Sequence, residues 1–182
     1  IDSEAFEMLI RTINCFKLRK LKTNKERNNI LLNELGALNK ETGFYKYKFC
    51  KNILENLLTD SNIQNGMFMI LAADDSCKTK FYSNKLSKAL KTCIREDDIV
   101  FEVNAWKYHI ILSNTNKTGV YAFVEKIQSI LESKVAIHSG IAKISDKTVE
   151  RLEKEVFAAY SEACQTNEPL VFLEEKGKGN EE

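Results

Sequence analysis

Apolar residues recur along this chain at two periods, and the places where the period changes outline its elements. In residues 1–38 the spacing is helical. Phe6 and Ile13 lie seven apart, as do Leu9 and Phe16, a short heptad-like seam; Leu31, Leu35 and Leu38 resume the stripe. Between them Lys17, Arg19, Lys20, Lys22, Lys25 and Arg27 stand against Glu26 alone. Such a stretch is a solvated helix face or a surface for phosphate or an acidic partner. Asn39 to Gly43 reads as a turn. Tyr45 to Thr59 then reads as one helix, with Phe49, Ile53 and Leu57 on a face and Lys46, Lys48 and Lys51 snorkelling beside the aromatic residues.

Asn62 to Gly66 reads as a loop. Met67 to Ala73 is an unbroken apolar run of strand length, suited to a central strand covered on both faces. Leu86, Leu90 and Ile94 predict a helix over Asn84 to Ile94. Ile99 to Val103 and Lys107 to Leu112, around Asn104-Ala105-Trp106, predict a hairpin. After a polar loop at Asn114 to Gly119, the spacing of Val120, Val124, Ile127 and Leu131 predicts another helix. Val135 to Ala142 reads as a strand, Lys147 to Cys164 as a helix, and Leu170 to Leu173 as a short last strand. Residues 174–182 contain only charge, Gly and Asn and read as a disordered tail. This order predicts an α/β (α+β) domain over residues 39–173, with a central five-stranded mixed sheet flanked by helices and preceded by a helical arm over 1–38.

Composition narrows the function classes. The chain has 182 residues, with 27 Lys plus Arg against 26 Asp plus Glu and a net charge of +1, so a strongly basic nucleic-acid binder is not expected. An apolar fraction of 43% excludes wholesale disorder. The longest apolar run, Met67 to Ala73, is far too short to span a membrane as a helix. Five widely spaced cysteines (Cys15, Cys50, Cys77, Cys93, Cys164) and two histidines form no zinc pattern. Reduced thiols in a cytoplasmic protein are the expectation. The sequence opens at Ile1 without an initiator Met, so we expect a fragment of a longer protein.

Several short stretches, in order, resemble the GGDEF family, the bacterial diguanylate cyclases that join two GTP molecules into cyclic di-GMP. The family's Asp-x-Leu-Thr-Gly-Leu-x-Asn-Arg opening is similar to Asn39-Lys-Glu-Thr42-Gly43-Phe44-Tyr-Lys46-Tyr47. Its signature hairpin falls on Asn104-Ala105-Trp106-Lys107-Tyr108. Ser139-Gly140-Ile141-Ala142 is similar to its Ser-x-Gly-x-Ala strand, and Val156 to Ala163 to its following helix, with Cys164 where a lysine follows. The resemblance runs from about Asn39 to Leu173.

The resemblance also implies what is missing. Family members hold two divalent cations with carboxylates at the end of the buried strand and in the hairpin. Here the strand ends Leu71-Ala72-Ala73-Asp74-Asp75, with Ala72 at the metal position in one register and Asp74 in another. The two acidic hairpin positions are Trp106 and Lys107, an indole and an ammonium, and the paired glycines are Asn104 and Ala105. The resemblance therefore implies a catalytically inactive relative with no metal or other cofactor, Asp74 being a weak metal candidate. Lys107 is expected to occupy the vacated metal pocket and pair with Asp74. Trp106 is either a plug or partner-contact anchor, or an aromatic folded back onto the sheet. His109 and His138 lie in strand-like runs without a companion nucleophile and read as satisfied strand histidines.

One family feature persists: the Arg-x-x-Asp product-inhibition site, matched by Arg95-Glu-Asp-Asp98 at the family's spacing from the hairpin. Arg can fork onto phosphate or guanine and Asp can accept from a guanine amino group; the same pair also suits a polar helix end. Three functions remain open at this point. The domain is a cyclic di-GMP receptor through Arg95 and Asp98, or a nucleotide-independent dimerisation and partner-docking module, or a residual cyclase or GTP-binding domain using Asp74. The arm implies a homodimer and an upstream sensor or receiver domain.

Overall fold

The computed structural model describes residues 36–59, 66–132, 134–144 and 147–173. Almost all of the arm at 1–38, most of the loop at 62–66 and the tail at 174–182 lie outside the described residues. In chain order the elements are β1 (Tyr45–Lys46), α1 (Cys50–Thr59), β2 (Met67–Ala73), α2 (Lys80–Cys93), β3 (Ile99–Asn104), β4 (Lys107–Leu112), α3 (Lys117–Leu131), β5 (Ile137–Lys143), α4 (Val149–Thr166) and β6 (Val171–Phe172). They form an α/β domain with one mixed sheet of order β1-β3-β4-β2-β5-β6.

The continuous apolar run forms the middle of this sheet. All seven residues of β2 are buried, because antiparallel neighbours flank both edges (Met69 opposite Ile110 and Ile141) and helices cover both faces. Side chains alternate across a strand. Met67, Met69 and Leu71 accordingly join Leu86, Leu90, Val124 and Ile127 of α2 and α3. Phe68 and Ile70 join Ile53, Leu54, Leu152 and Val156 of α1 and α4. Outer pairs are parallel, β1 with β3 and β5 with β6.

The hairpin and the central strand fall where the sequence placed them. The sheet, however, has six strands rather than five. Tyr45 and Lys46 do not open a helix. They pair with Phe101 and Glu102 of β3, and the Lys46 amide donates to the Ala37 carbonyl at 2.9 Å. A 3-10 turn at Tyr47–Phe49 then leads into α1. An unfilled sheet edge thus outcompetes local helical spacing. Helix starts also differ, because capping side chains set them. Thr79 accepts from the Tyr82 amide and starts α2 four residues early; Asn116 accepts from the Gly119 amide and draws the second half of the supposed loop into α3.

Gly140 sets the distance between sheet and helix on the α4 face. A Cβ there would lie 2.0 Å from the Tyr160 amide nitrogen and 2.6 Å from the Val156 carbonyl oxygen. Backbone therefore packs on backbone, and neither partner can rotate away. Gly43 differs. Its φ of +70° is left-handed, yet a Cβ there would meet nothing within 4 Å. Gly140→Ala is expected to destabilise the domain by about 3 kcal/mol or more through overpacking, whereas Gly43→Ala costs about 1–2 kcal/mol of backbone strain. Urea unfolding of the two variants checks the order.

Candidate functional site

The site is built where β2 ends between the hairpin and β5. The Ala73 amide donates to the Trp106 carbonyl at 2.9 Å, and the Asp74 amide donates to the Ala136 carbonyl at 2.8 Å. These bonds carry the ladder to its limit and deliver Asp74 to the sheet's rim. There Asp74 caps a 3-10 turn, Asp75–Cys77. Its Oδ1 accepts from the Ser76 amide at 2.9 Å and the Ser76 hydroxyl at 2.5 Å. Its Oδ2 lies 3.5 Å from His138 Nε2. The bonds from Ser76, then those from His138, hold the Asp74 carboxyl below the usual carboxylate range. His138 is not a bystander: its Nδ1 donates to the Glu168 carbonyl at 3.0 Å and ties β5 to the segment after α4.

The hairpin bend is a two-residue turn. Asn104 opposes Lys107, and Asn104 Oδ1 accepts from the Trp106 amide at 2.9 Å, a local bond that suits Asn to this position. The Tyr108 hydroxyl donates to the Ala105 carbonyl at 3.2 Å. Trp106 is half-buried and packs against the core under α2 and α3, as does Tyr82. Tyr108 is buried on that face, its ring edge-on to Phe44 at 5.8 Å.

Lys107 does not pair with Asp74. The register sets Lys107 opposite Ala72, and Ala72 opposite His138. An alanine methyl thus stands between the ammonium and the Asp74–His138 pair. The Lys107 ammonium turns to α4 instead, 4.7 Å from the Tyr160 ring centroid and 5.6 Å from that of Phe157. Burial lowers its pKa, with the Cys164 thiol opposing the shift. The sequence singled out Lys107 but not its aromatic partners. Their spacing of three on α4, facing the hairpin, is the signal that could have found them.

Arg95 and Asp98 stand together at the turn after α2. The Asp98 carboxylate accepts from the Arg95 amide at 2.8 Å and from the Ser113 amide at 3.1 Å, so it fastens the α2–β3 turn to the end of β4. The exposed Arg95 side chain lines a cleft of about 720 Å³ with Lys117, Lys143 and the N-terminal turn of α3. Among the described residues, no acidic side chain lines this cleft. A second hollow of about 340 Å³ lies between Arg95, Asp98 and Lys126. Among the described residues, no three His, Cys, Asp or Glu side chains group closely enough to hold a metal ion. No described helix is long and apolar enough to cross a membrane.

The fold is that of a GGDEF domain. The chain is similar to the coiled coil and GGDEF domain of DgcB from Caulobacter crescentus in complex with c-di-GMP, at a TM-score of 0.68 and 10% identity, covering 94% of this chain and 100% of that one. It is similar to the S helix-GGDEF-EAL portion of Vibrio cholerae LapD bound to c-di-GMP, at a TM-score of 0.65 and 17% identity, over 86% of this chain. That match takes in 42% of the LapD chain, so this sequence spans less than half of it. A third similar structure is the diguanylate cyclase SiaD from Pseudomonas aeruginosa in complex with its activator SiaC, at a TM-score of 0.65 and 14% identity, over 93% and 75% of the two chains. No family model matches the sequence, and no curated protein matches it.

Two outcomes test this geometry. A double-mutant cycle between Lys107→Met and Tyr160→Leu in urea unfolding should give about 0.5–1 kcal/mol of coupling, whereas Lys107 with Asp74→Ala should give almost none. The second concerns His109, next inward from Lys107 on the same face and 6% exposed. Burial, then the Lys107 charge, pushes its pKa down from 6.5 to about 4. Protons bind the unfolded chain more readily in that window, so stability falls as pH drops from 6.5 towards 4. His109→Phe is expected to flatten this slope, by about 2–3 kcal/mol across the window, read from urea midpoints at pH 7, 5.5 and 4.5.

Proposed function

We propose that this is a regulatory GGDEF-like domain that makes no phosphodiester bond and responds to cyclic di-GMP bound in the cleft beside Arg95. The observation that carries the reading is the concentration of positive charge there. Arg95, Lys117 and Lys143 surround one hollow at the positive end of α3, with no acid among its described lining residues. Guanidinium groups fork onto phosphate oxygens. Asp98 is bonded to two amides, which presets the turn, and its remaining lone pairs are suited to a guanine amino group. Two of the similar structures are complexes with c-di-GMP, DgcB and LapD.

The inactive part of the reading rests on the donor set at the bend. Two-metal phosphoryl chemistry needs carboxylates converging on both ions. At this bend Ala72 presents a methyl, Trp106 an indole and Lys107 an ammonium, while Asp74 is engaged by Ser76 and His138. Glu102, further along β3, accepts from the Thr42 hydroxyl. This set does not fit a pair of divalent cations.

Calorimetry with cyclic di-GMP should give saturable heat, and Arg95→Ala should weaken binding about tenfold or more, the worth of one charge-assisted contact. Absence of heat from the unaltered protein overturns the receptor reading in favour of nucleotide-independent docking. Incubation with GTP and Mg²⁺ or Mn²⁺ is expected to yield no cyclic dinucleotide; product formation that Asp74→Asn abolishes would instead mark a residual cyclase.

A further inference from the structure

The α4 face of the sheet is closed at one end and open at the other. At Gly140 the backbone of α4 touches the sheet. Two strands away, opposite Ile70, the position of Gly140 is answered by His109. Beside it, between the 3-10 turn at Tyr47 and α4, lies a cleft of about 440 Å³. Ile70, His109 and Val156 form its buried floor; Tyr47, Glu150, Glu153 and Phe157 are among its walls. The volume falls within the range of small-ligand sites.

Two polar groups face this cleft, one buried and one half-buried. His109 Nδ1 is buried and makes no hydrogen bond among the described residues. The imidazole stands edge-to-face with the rings of Tyr47, centroids 4.7 Å apart, and Phe68, centroids 5.6 Å apart. Glu150 is matched by Lys51 at 3.5 Å. Glu153 is half-buried; burial and the nearby Glu150 charge raise its carboxyl pKa, and the Lys51 ammonium acts on it in the opposite sense. Lys154 also lines the cleft but is exposed. A buried polar atom left unmatched, as at His109, is costly, and the His109 imidazole and the Glu153 carboxylate are of complementary use to one kind of visitor. A carboxylate only accepts. A neutral imidazole offers one accepting nitrogen. The exposed faces of Tyr47 and Phe157 attract a flat cation.

We propose that this cleft binds a guanidinium group, carried by a free guanidine or by an arginine side chain. Its planar fork places two N–H donors on Glu153 and a third towards the His109 imidazole, with its face against the aromatic walls. The site is separate from the Arg95 cleft and does not depend on nucleotide binding there, since the two share no lining residue.

Butylguanidine and butylamine, which share a stem and differ in head group, are the probes, with acetyl-Gly-Arg-Gly-amide as the peptide form. Calorimetry should show butylguanidine saturating with a Kd of about 1 mM or tighter, and butylamine at least about fivefold weaker. Tighter binding of the peptide assigns the group to a partner protein; tighter binding of butylguanidine assigns it to a metabolite. Glu153→Gln should weaken either guanidine about tenfold. In parallel, the His109 imidazole nitrogen resonances of labelled protein should shift with the same saturation curve. The proposal is overturned if neither guanidine saturates, if butylamine binds equally well, or if Glu153→Gln, still folded by its urea midpoint, binds unchanged.

Discussion

The structure turns on the burial of one strand between two antiparallel neighbours. With Met67–Ala73 hydrogen-bonded on both edges and covered on both faces, each flanking strand has a set register, since a slip of one residue would turn its apolar side chains to the wrong core. Both local features of functional interest inherit that register. The hairpin bend is carried to the end of β2 because Leu112 opposes Met67 and Lys107 opposes Ala72. Gly140 is carried to the one place where α4 requires a residue without a side chain.

The same register sorts the charges. Lys107, Ala72 and His138 form one row across three strands on the α4 face. The alanine makes two small polar systems out of what a carboxylate there would join. One is the ammonium on the rings of Tyr160 and Phe157. The other is Asp74 with Ser76 and His138. Along the next row inward, α4 covers Gly140 closely, while Ile70 and His109 line the open cleft. The basic cleft beside Arg95 lies instead with α3, at the end of the sheet where β2 begins, and it owes its charge to three separate segments.

Much of this was legible along the chain. Met67 to Ala73 announced a doubly covered strand, because seven apolar residues in a row satisfy neither a helix stripe nor a half-exposed strand. The hairpin and the four main helices followed from their periods, and the Thr42-Gly43 turn and Ser139-Gly140 strand pointed to the fold that the similar structures share. Tyr45 and Lys46 were illegible as a strand. Their local spacing is helical, and only the free edge of β3, nearly sixty residues later, makes extension favourable.

The sequence by itself determined the elements other than β1, their order and the residue types at the bend, because periodicity, turn chemistry and side-chain identity are local properties. Which polar groups meet was decided only by tertiary structure. Lys107 and Asp74 look like natural partners on paper, and Phe157, Tyr160 and His138 like core residues. Strand register and the close approach of α4 reassign them, since an ammonium or a carboxylate binds whatever its backbone position brings within a few ångströms. That distance is set by packing over the whole sheet rather than by any neighbouring stretch of chain.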